Sequence, residues 1–175
     1  MLLEDGFEFA VGLDPSIHLI KFARSRLGPD FHPIVGVAEY LPFRPGSLGA
    51  TITCFALRDV TDLGRSLREF ARVTRRGGAL AIVDIGKPDR GLWRAIIGFY
   101  ISHGMPMLAR LSTRGRIHGN PFRMIIPTWK KLPTNKRLSD LIEESFGPCA
   151  LKSFFLGGLV VFEADRTAVL KDILE

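Results

Sequence analysis

A chain of 175 residues, 46% of them hydrophobic, can bury the core of a single domain and is too apolar to be disordered. Its formal charge of +6 is uneven: Arg90, Arg94, Arg110, Arg114, Arg116, Arg123, Lys130, Lys131, Lys136 and Arg137 fall in an acid-free stretch from Arg90 to Ser139, and the rest is net acidic. Two cysteines, Cys54 inside an apolar run and Cys149 before another, lack metal-ligand or redox spacing, so no metal centre is expected and a reducing compartment fits.

The N-terminal MLLEDGFEFA carries acids where a secretory leader needs basic residues, which predicts a cytoplasmic protein. Phe7 to Leu13 reads as a strand ending at Asp14-Pro15-Ser16. Ser16 is a plausible N-cap for a helix with Ile17, Leu19, Ile20, Ala23 and Leu27 on one stripe and Phe22 on its flank, closed by Gly28-Pro29. An acid at the carboxyl end of a strand before a helix is where a carboxylate receives ribose hydroxyls; Asp14 could equally serve the helix N-terminus. Pro33 to Ala38 is a short strand, followed by Glu39 to Phe43 and a turn at Arg44 to Ser47.

Ala50 to Phe55 is a β-branched and apolar run of strand length, and polarity appears abruptly at Leu57-Arg58-Asp59. From Asp62 the period becomes helical, with Leu63, Leu67, Phe70 and Val73 on one face and Arg65, Arg68, Glu69 and Arg72 on the other, until Gly77-Gly78. Ala79 to Ile85 is again continuously apolar. Strand, helix and strand without polar alternation predict a parallel pair joined by a right-handed crossover. Ligands of such sheets sit at the carboxyl strand ends, here Arg58-Asp59 and Asp84 to Lys87.

Leu92 to Leu111 is apolar but interrupted, its longest unbroken piece being Ala95 to Ile101, well short of the roughly 20 residues that span a bilayer. It reads as a helix broken near Gly104-Met105-Pro106 that covers the strand ends as a lid. Gly115 to Pro133, with Pro121, Pro127 and Pro133, reads as loop. Asn135 to Phe146 is an amphipathic helix with Leu138, Leu141, Ile142 and Phe146 inward. Ala150 to Leu156 and Leu159 to Ala164 form a hairpin around Gly157-Gly158, and Arg166 to Leu174 could add a short helix.

GLDPS (Gly12 to Ser16), AEYLPF (Ala38 to Phe43), FALRDVTD (Phe55 to Asp62), LREFARVTRRGGAL (Leu67 to Leu80) and DIGKP (Asp84 to Pro88), in this order and spacing, resemble the ubiquinone/menaquinone biosynthesis C-methyltransferases. The similarity continues through Tyr100, the Pro106 region and the C-terminal hairpin. It implies a class I S-adenosylmethionine-dependent enzyme in one α/β, Rossmann-like domain, mainly parallel, with an antiparallel C-terminal hairpin. Asp14, with Pro15 beside it, matches the acid that holds the cofactor ribose; Ala38 and Glu39 match the turn lining the adenine; Phe55 and Leu57 match the strand end beside the methionine part. Arg58 matches the arginine of an Arg-Asn pair where the quinol is deprotonated, and here the second position is Asp59. Tyr100 and His103 fall on the substrate side.

Three positions depart from the pattern. The resemblance places a strand and a glycine-rich turn about 20 residues ahead of the ribose acid, whereas thirteen residues precede Asp14 here and carry no such motif. That strand normally lies between the strands of Phe7 and Ala50, so either those two pair directly or another chain fills the gap. Val37 and Gly49 stand where the family usually has aspartates. The chain alone is therefore expected to bind S-adenosylmethionine weakly or not at all.

Two functions follow. As an enzyme, the chain would methylate a carbon of a small, apolar, quinol-like or phenolic substrate, with Asp59 as general base, Arg58 orienting it or stabilising phenolate charge, and His103 a second candidate base. As a degenerate, non-catalytic relative, it would bind or regulate a partner through an open sheet edge, as a homo- or hetero-oligomer. The acid-free segment predicts contact with an anionic membrane surface, since it pairs basic residues with the apolar Leu92 to Leu111. It lacks a nucleic-acid motif, and Trp93, Phe99, Tyr100, Phe122 and Trp129 form no stacking array.

Overall fold

Strand β1, Val11–Asp14, opens the computed structural model, which describes residues 9–27, 31–112 and 122–166. The chain continues through α1 (Ile17–Leu27), β2 (His32–Val35), β3 (Leu48–Cys54), a 3-10 turn at Leu57–Asp59, α2 (Leu63–Val73) and β4 (Thr74–Ile85). Next come α3 (Gly91–Phe99), a π turn at Tyr100–Gly104, α4 (Met105–Ser112), α5 (Ile125–Lys131), α6 (Asn135–Ser145), β5 (Cys149–Phe154) and β6 (Leu159–Asp165). The tail from Thr167, the Gly28-Pro29 helix end and the segment 113–121 lie outside the described residues.

β3 and β4 pair in parallel through Thr51↔Leu80 and Thr53↔Ile82, as the strand-helix-strand pattern predicts. β6 then runs antiparallel to β4, with Ile82 opposite Phe162, and β5 closes that side of the sheet. The arrangement is α/β and Rossmann-like, with the expected C-terminal hairpin. β4 begins earlier than expected: α2 gives way to strand at Thr74, and the chain bulges through Gly77, at φ +72, before the ladder resumes at Ala50↔Ala79. A side chain at Gly78 would stand 2.5 Å from the Gly49 carbonyl, so the bulge requires glycine there.

Of the two alternatives for the strands of Phe7 and Ala50, direct pairing does not occur. Among the described residues β1 pairs with β2 alone, in parallel, and the two make a sheet of their own beside the order β3-β4-β6-β5. A slot separates β1 from β3.

The main core lies between one face of the larger sheet and the apolar stripes of α2 and α6. Leu67 and Phe70 from α2 and Leu138 and Ile142 from α6 pack with Leu80, Ile82, Val160 and Phe162 from the sheet. Full burial of each such side chain is worth about 1.5–3 kcal/mol. Asp62 caps α2, its Oδ1 accepting the Arg65 amide at 2.9 Å.

A second cluster holds the covering helices over the end of β4. Ile97 and Ile101 pack on Trp129 and Leu132 with Ile85 beside them, and Trp129 Nε1 donates to the Gly86 carbonyl at 2.8 Å. Two expectations are corrected here. The covering helix is not broken at Gly104-Met105-Pro106 but passes through a π turn, in which the Met105 amide reaches back to the Tyr100 carbonyl. The extra residue falls just before Pro106, which has no N–H to continue regular bonding. The stretch read as loop contains α5, because Pro127 occupies its first turn, where backbone N–H groups have no intrahelical partner in any case.

A candidate active site at the strand ends

Beyond Cys54 the chain turns sharply. Phe55 adopts φ 55, a left-handed conformation costing a residue with a Cβ roughly 1–2 kcal/mol. Two bonds hold it there: its amide donates to the Val83 carbonyl at 2.7 Å, and its carbonyl accepts Arg58 Nη1 at 2.6 Å. The following 3-10 turn is fastened to β4 by Asp84, only 1% exposed. Asp84 Oδ2 accepts the Leu57 amide at 2.9 Å, and Oδ1 accepts the Ile85 amide at 2.7 Å and Arg58 Nη1 at 3.3 Å. Burial raises its pKa, offset only in part by the Ile85 amide, the Arg58 charge and the Leu57 amide.

Arg58 thus bridges two acids. Its Nη2 lies 3.4 Å from Asp59 Oδ2, whose side chain is 53% exposed, while its Nε is buried without a hydrogen-bond partner. The result is one accessible carboxylate beside a guanidinium that is itself fixed from behind. Such a pair can accept a proton at Asp59 and stabilise negative charge on an adjacent oxygen.

The opposite wall comes from β1 and the segment after β2. Asp14 Oδ1 accepts the Ser16 amide at 2.7 Å, and Ser16 Oγ receives the Leu19 amide at 3.4 Å. Ser16 is therefore the N-cap, and among the described residues the second oxygen of Asp14 has no partner. Glu39 is less available. Its Oε1 accepts the Thr61 and Asp62 amides at 2.6 and 3.2 Å, and its carbonyl accepts Arg65 Nε at 2.9 Å. Burial would raise its pKa, but the amides of Glu39 itself, Asp62 and Thr61 outweigh burial and hold it low. Glu39 therefore staples its turn to the start of α2. Glu69 and Arg72 brace the rest of the loop: Glu69 takes the Leu41 amide at 2.8 Å, and Arg72 donates to the Leu41 and Phe43 carbonyls at 2.9 and 2.8 Å.

Asp14, Pro15, Ala38, Glu39, Phe55 and Asp59 line one cavity of about 890 Å³, which includes the slot between β1 and β3. That size lies in the range of small-molecule sites. Val37 and Gly49 line it too and bring no polar side chain. Arg58 stands behind Asp59 and outside the lining. Leu57 is in the main core, so its side chain does not face the cavity. Tyr100 and His103 sit on the covering helix, His103 stacked on Phe99 at 4.8 Å, and neither lines the cavity. Among the described residues no group of acids, histidines or cysteines could hold a metal ion. Sequence reasoning placed Asp84 at a strand end without giving it a role. The available signal was a carboxylate set inside an otherwise unbroken apolar run.

The sequence pattern of the ubiE/COQ5 methyltransferase family matches residues 11–162. The chain belongs to that family. Among ubiE/COQ5 relatives, the demethylmenaquinone methyltransferase of Mycolicibacterium gilvum is 35% identical over 101 residues, 58% of this chain and 43% of that protein. The demethylmenaquinone methyltransferase of Listeria monocytogenes is 28% identical over 138 residues, 77% of this chain and 57% of that protein. The chain thus spans about half the length of these relatives. In structure it is similar to a chain in the complex between the Haloferax volcanii Trm112 methyltransferase activator and a methyltransferase (TM-score 0.68, 15% identity, 96% of this chain and 76% of that one). It is also similar to a SAM-dependent methyltransferase from Aquifex aeolicus (TM-score 0.55, 13% identity, 89% and 68% covered). These likenesses establish the fold.

The residues present fit part of S-adenosylmethionine. Asp14 keeps an oxygen for ribose hydroxyls, and the cavity is large enough. The carboxylate of Glu39 is already engaged, and Val37 and Gly49 add nothing polar.

Proposed function

We propose that this chain carries the reaction centre of an S-adenosylmethionine-dependent methyltransferase that methylates a carbon of a small, apolar quinol-like or phenolic substrate. The observation supporting it is the Arg58–Asp59 pair at the mouth of the cavity, held from behind by buried Asp84. The cofactor supplies an electrophilic methyl group. The chain's own task is to align the substrate carbon and remove the proton of its neighbouring hydroxyl. Asp59 takes that proton, and Arg58 behind it orients the carboxylate. Asp14 would hold the ribose, and Ala38 would offer its backbone to the adenine, the amide and carbonyl of Glu39 being already engaged. The printed names of the curated relatives fit demethylated menaquinol as substrate class.

The test is transfer of tritiated methyl from millimolar S-adenosylmethionine to a short-tailed, reduced demethylmenaquinone. Carbon-bound label in the product is expected. Calorimetry of the isolated chain is expected to show cofactor binding of about 1 mM or weaker, since Asp14 is the main polar contact left free. A second reading, a non-catalytic subunit, is favoured by the apolar Val37 and Gly49; it prevails if no label is transferred.

The same reading supports peripheral contact with anionic lipid. Phe99, Met107, Leu108 and Leu111 are exposed on the covering helices, with Arg110, Lys130 and Lys131 exposed on α4 and α5. The hairpin tip adds Phe155, 78% exposed, and Leu156, both at positive φ. No helix among the described residues is long and apolar enough to cross a membrane. Co-sedimentation is expected with vesicles containing anionic lipid, weakening with salt and falling with Arg110→Glu and Lys131→Glu. Equal binding to neutral vesicles would remove the electrostatic part.

A further inference from the structure

Beyond Ile85 the chain leaves β4 as Gly86-Lys87-Pro88-Asp89, and this short run is tied to several elements at once. The Gly86 amide donates to the Gly158 carbonyl at 3.0 Å, and the Gly86 carbonyl accepts Trp129 Nε1 from α5. Asn135, the first residue of α6 and 4% exposed, holds the Lys87 backbone on both sides. Its Oδ1 accepts the Lys87 amide at 2.6 Å, and its own amide donates to the Lys87 carbonyl at 2.9 Å. Arg94 of α3 donates to the Pro88 and Asp89 carbonyls at 3.0 and 2.7 Å. The Lys87 side chain thus leaves a root fixed from α3, α5 and α6.

From that root the ammonium reaches the C-terminal end of α5. Lys87 Nζ donates to the Lys130 carbonyl at 2.8 Å and to the Leu132 carbonyl at 2.7 Å. The last carbonyls of a helix lack intrahelical donors, and a cation suits the negative end of its dipole. Burial and the neighbouring Arg94 charge both oppose an ammonium there and lower the Lys87 pKa. The two carbonyl bonds are the contacts that favour it.

α5 in turn lies against the Leu57–Asp59 turn, while its Trp129 packs with Ile97, Ile101 and Leu132. One strand end therefore holds that turn from two directions. Asp84 takes the Leu57 amide and Arg58 directly, and Lys87, three residues on, fixes the helix packed against the same turn. On an extended chain three residues span about 10 Å, enough for one side chain to serve the turn and the other α5. We propose that Lys87 is a positioning residue for the Arg58–Asp59 pair, acting through α5. Its bearing on turnover rests on the methyltransferase reading; its bearing on the turn does not.

Lys87→Met keeps the length of the side chain and removes its donors. In a Trp93→Phe background, where Trp129 alone reports, the emission should shift to the red with far-ultraviolet circular dichroism unchanged. Amide exchange should quicken about tenfold at Leu57 and Asp59, whose amides bond to Asp84 and to the Ala56 carbonyl, and stay as in wild type along the β3–β4 ladder. Lys87→Arg, which keeps the charge and the donors, should return both signals to wild type. In the methyl-transfer assay Lys87→Met should lower kcat about tenfold and leave KM for S-adenosylmethionine within about twofold, because Asp14 and Ala38 belong to the opposite wall. If Lys87→Met fails to fold, exchange of the wild-type chain in sub-denaturing urea decides: the Leu57 and Asp59 amides should open together with those of α5, before the β3–β4 ladder. The assignment is overturned by an unmoved Trp129 emission, by an unchanged turn beside a loosened α5, by a Lys87→Arg chain as loose as Lys87→Met, by unchanged kcat where wild type is active, or by turn amides that open only with the ladder. A wild-type chain that transfers no methyl sinks the methyltransferase reading alone, since emission and exchange need neither cofactor nor turnover.

Discussion

Asp84→Ala is expected to lower the free energy of unfolding by about 3–5 kcal/mol, the usual cost of removing one partner from a buried ion pair. The size follows from what Asp84 holds. Its loss strands the Leu57 amide and leaves the guanidinium of Arg58 with only the exposed Asp59 as counter-charge. Urea denaturation with a common slope for wild type and variant measures it, and a change below about 1 kcal/mol would show that the turn at Leu57–Asp59 stands without its anchor. Asp84→Asn isolates the charge. Because burial lifts the folded-state pKa above the ordinary carboxylate value of 3.8, the folded state binds the proton more tightly than the unfolded one. Its contribution to stability is therefore full below pH 3.8 and declines as pH rises through the folded pKa. Asp84→Asn should flatten that decline, in a stability-pH series where wild type shows it.

Asp59→Asn is expected to reduce methyl-transfer turnover by about 10²–10⁴-fold, the range for a positioned general base, while shifting stability by no more than about 0.5 kcal/mol. The separation follows from geometry: Asp59 is half exposed and, among the described residues, its side chain supports no backbone group, whereas Arg58 and Asp84 hold the turn together. A variant retaining more than a third of wild-type turnover would remove Asp59 from the chemistry.

The local elements of this chain were legible because most obey one period at a time. Ala50 to Phe55 and Ala79 to Ile85 read as strands and are strands, although β3 is half exposed, with Ile52 and Phe55 open, where burial on both faces was expected; the stripe of Leu63, Leu67, Phe70 and Val73 reads as a helix face. Asp14, Glu39 and Asp59 line one cavity, while Arg58, expected on the same rim, does not line it. What was hidden depended on partners distant in sequence. Glu39 looks like any surface acid until the amides of Thr61 and Asp62 are seen closing on it. Leu57 sits beside Arg58 in a motif, yet the 3-10 turn swings its side chain into the core. α5 was masked by Pro127, whose effect depends on its place within the turn, and Tyr100 and His103 were carried off the cavity by the π turn and the packing of α3 on Trp129. That β1 and β3 stand apart was one of two alternatives the resemblance left open, and composition could not choose, since a strand's neighbours are set by the whole sheet.

An open β edge usually threatens solubility, because each added strand exposes a fresh edge to the next and growth has no natural end. The edge of β3 is different in kind. It is recessed opposite β1, so the first strand to enter would meet hydrogen-bonding partners on both sides and expose no new edge. The outer edges at β2 and β5 are where fibre-like stacking would have to start, and there Lys152 and Glu163 place charge directly on the β5–β6 hairpin.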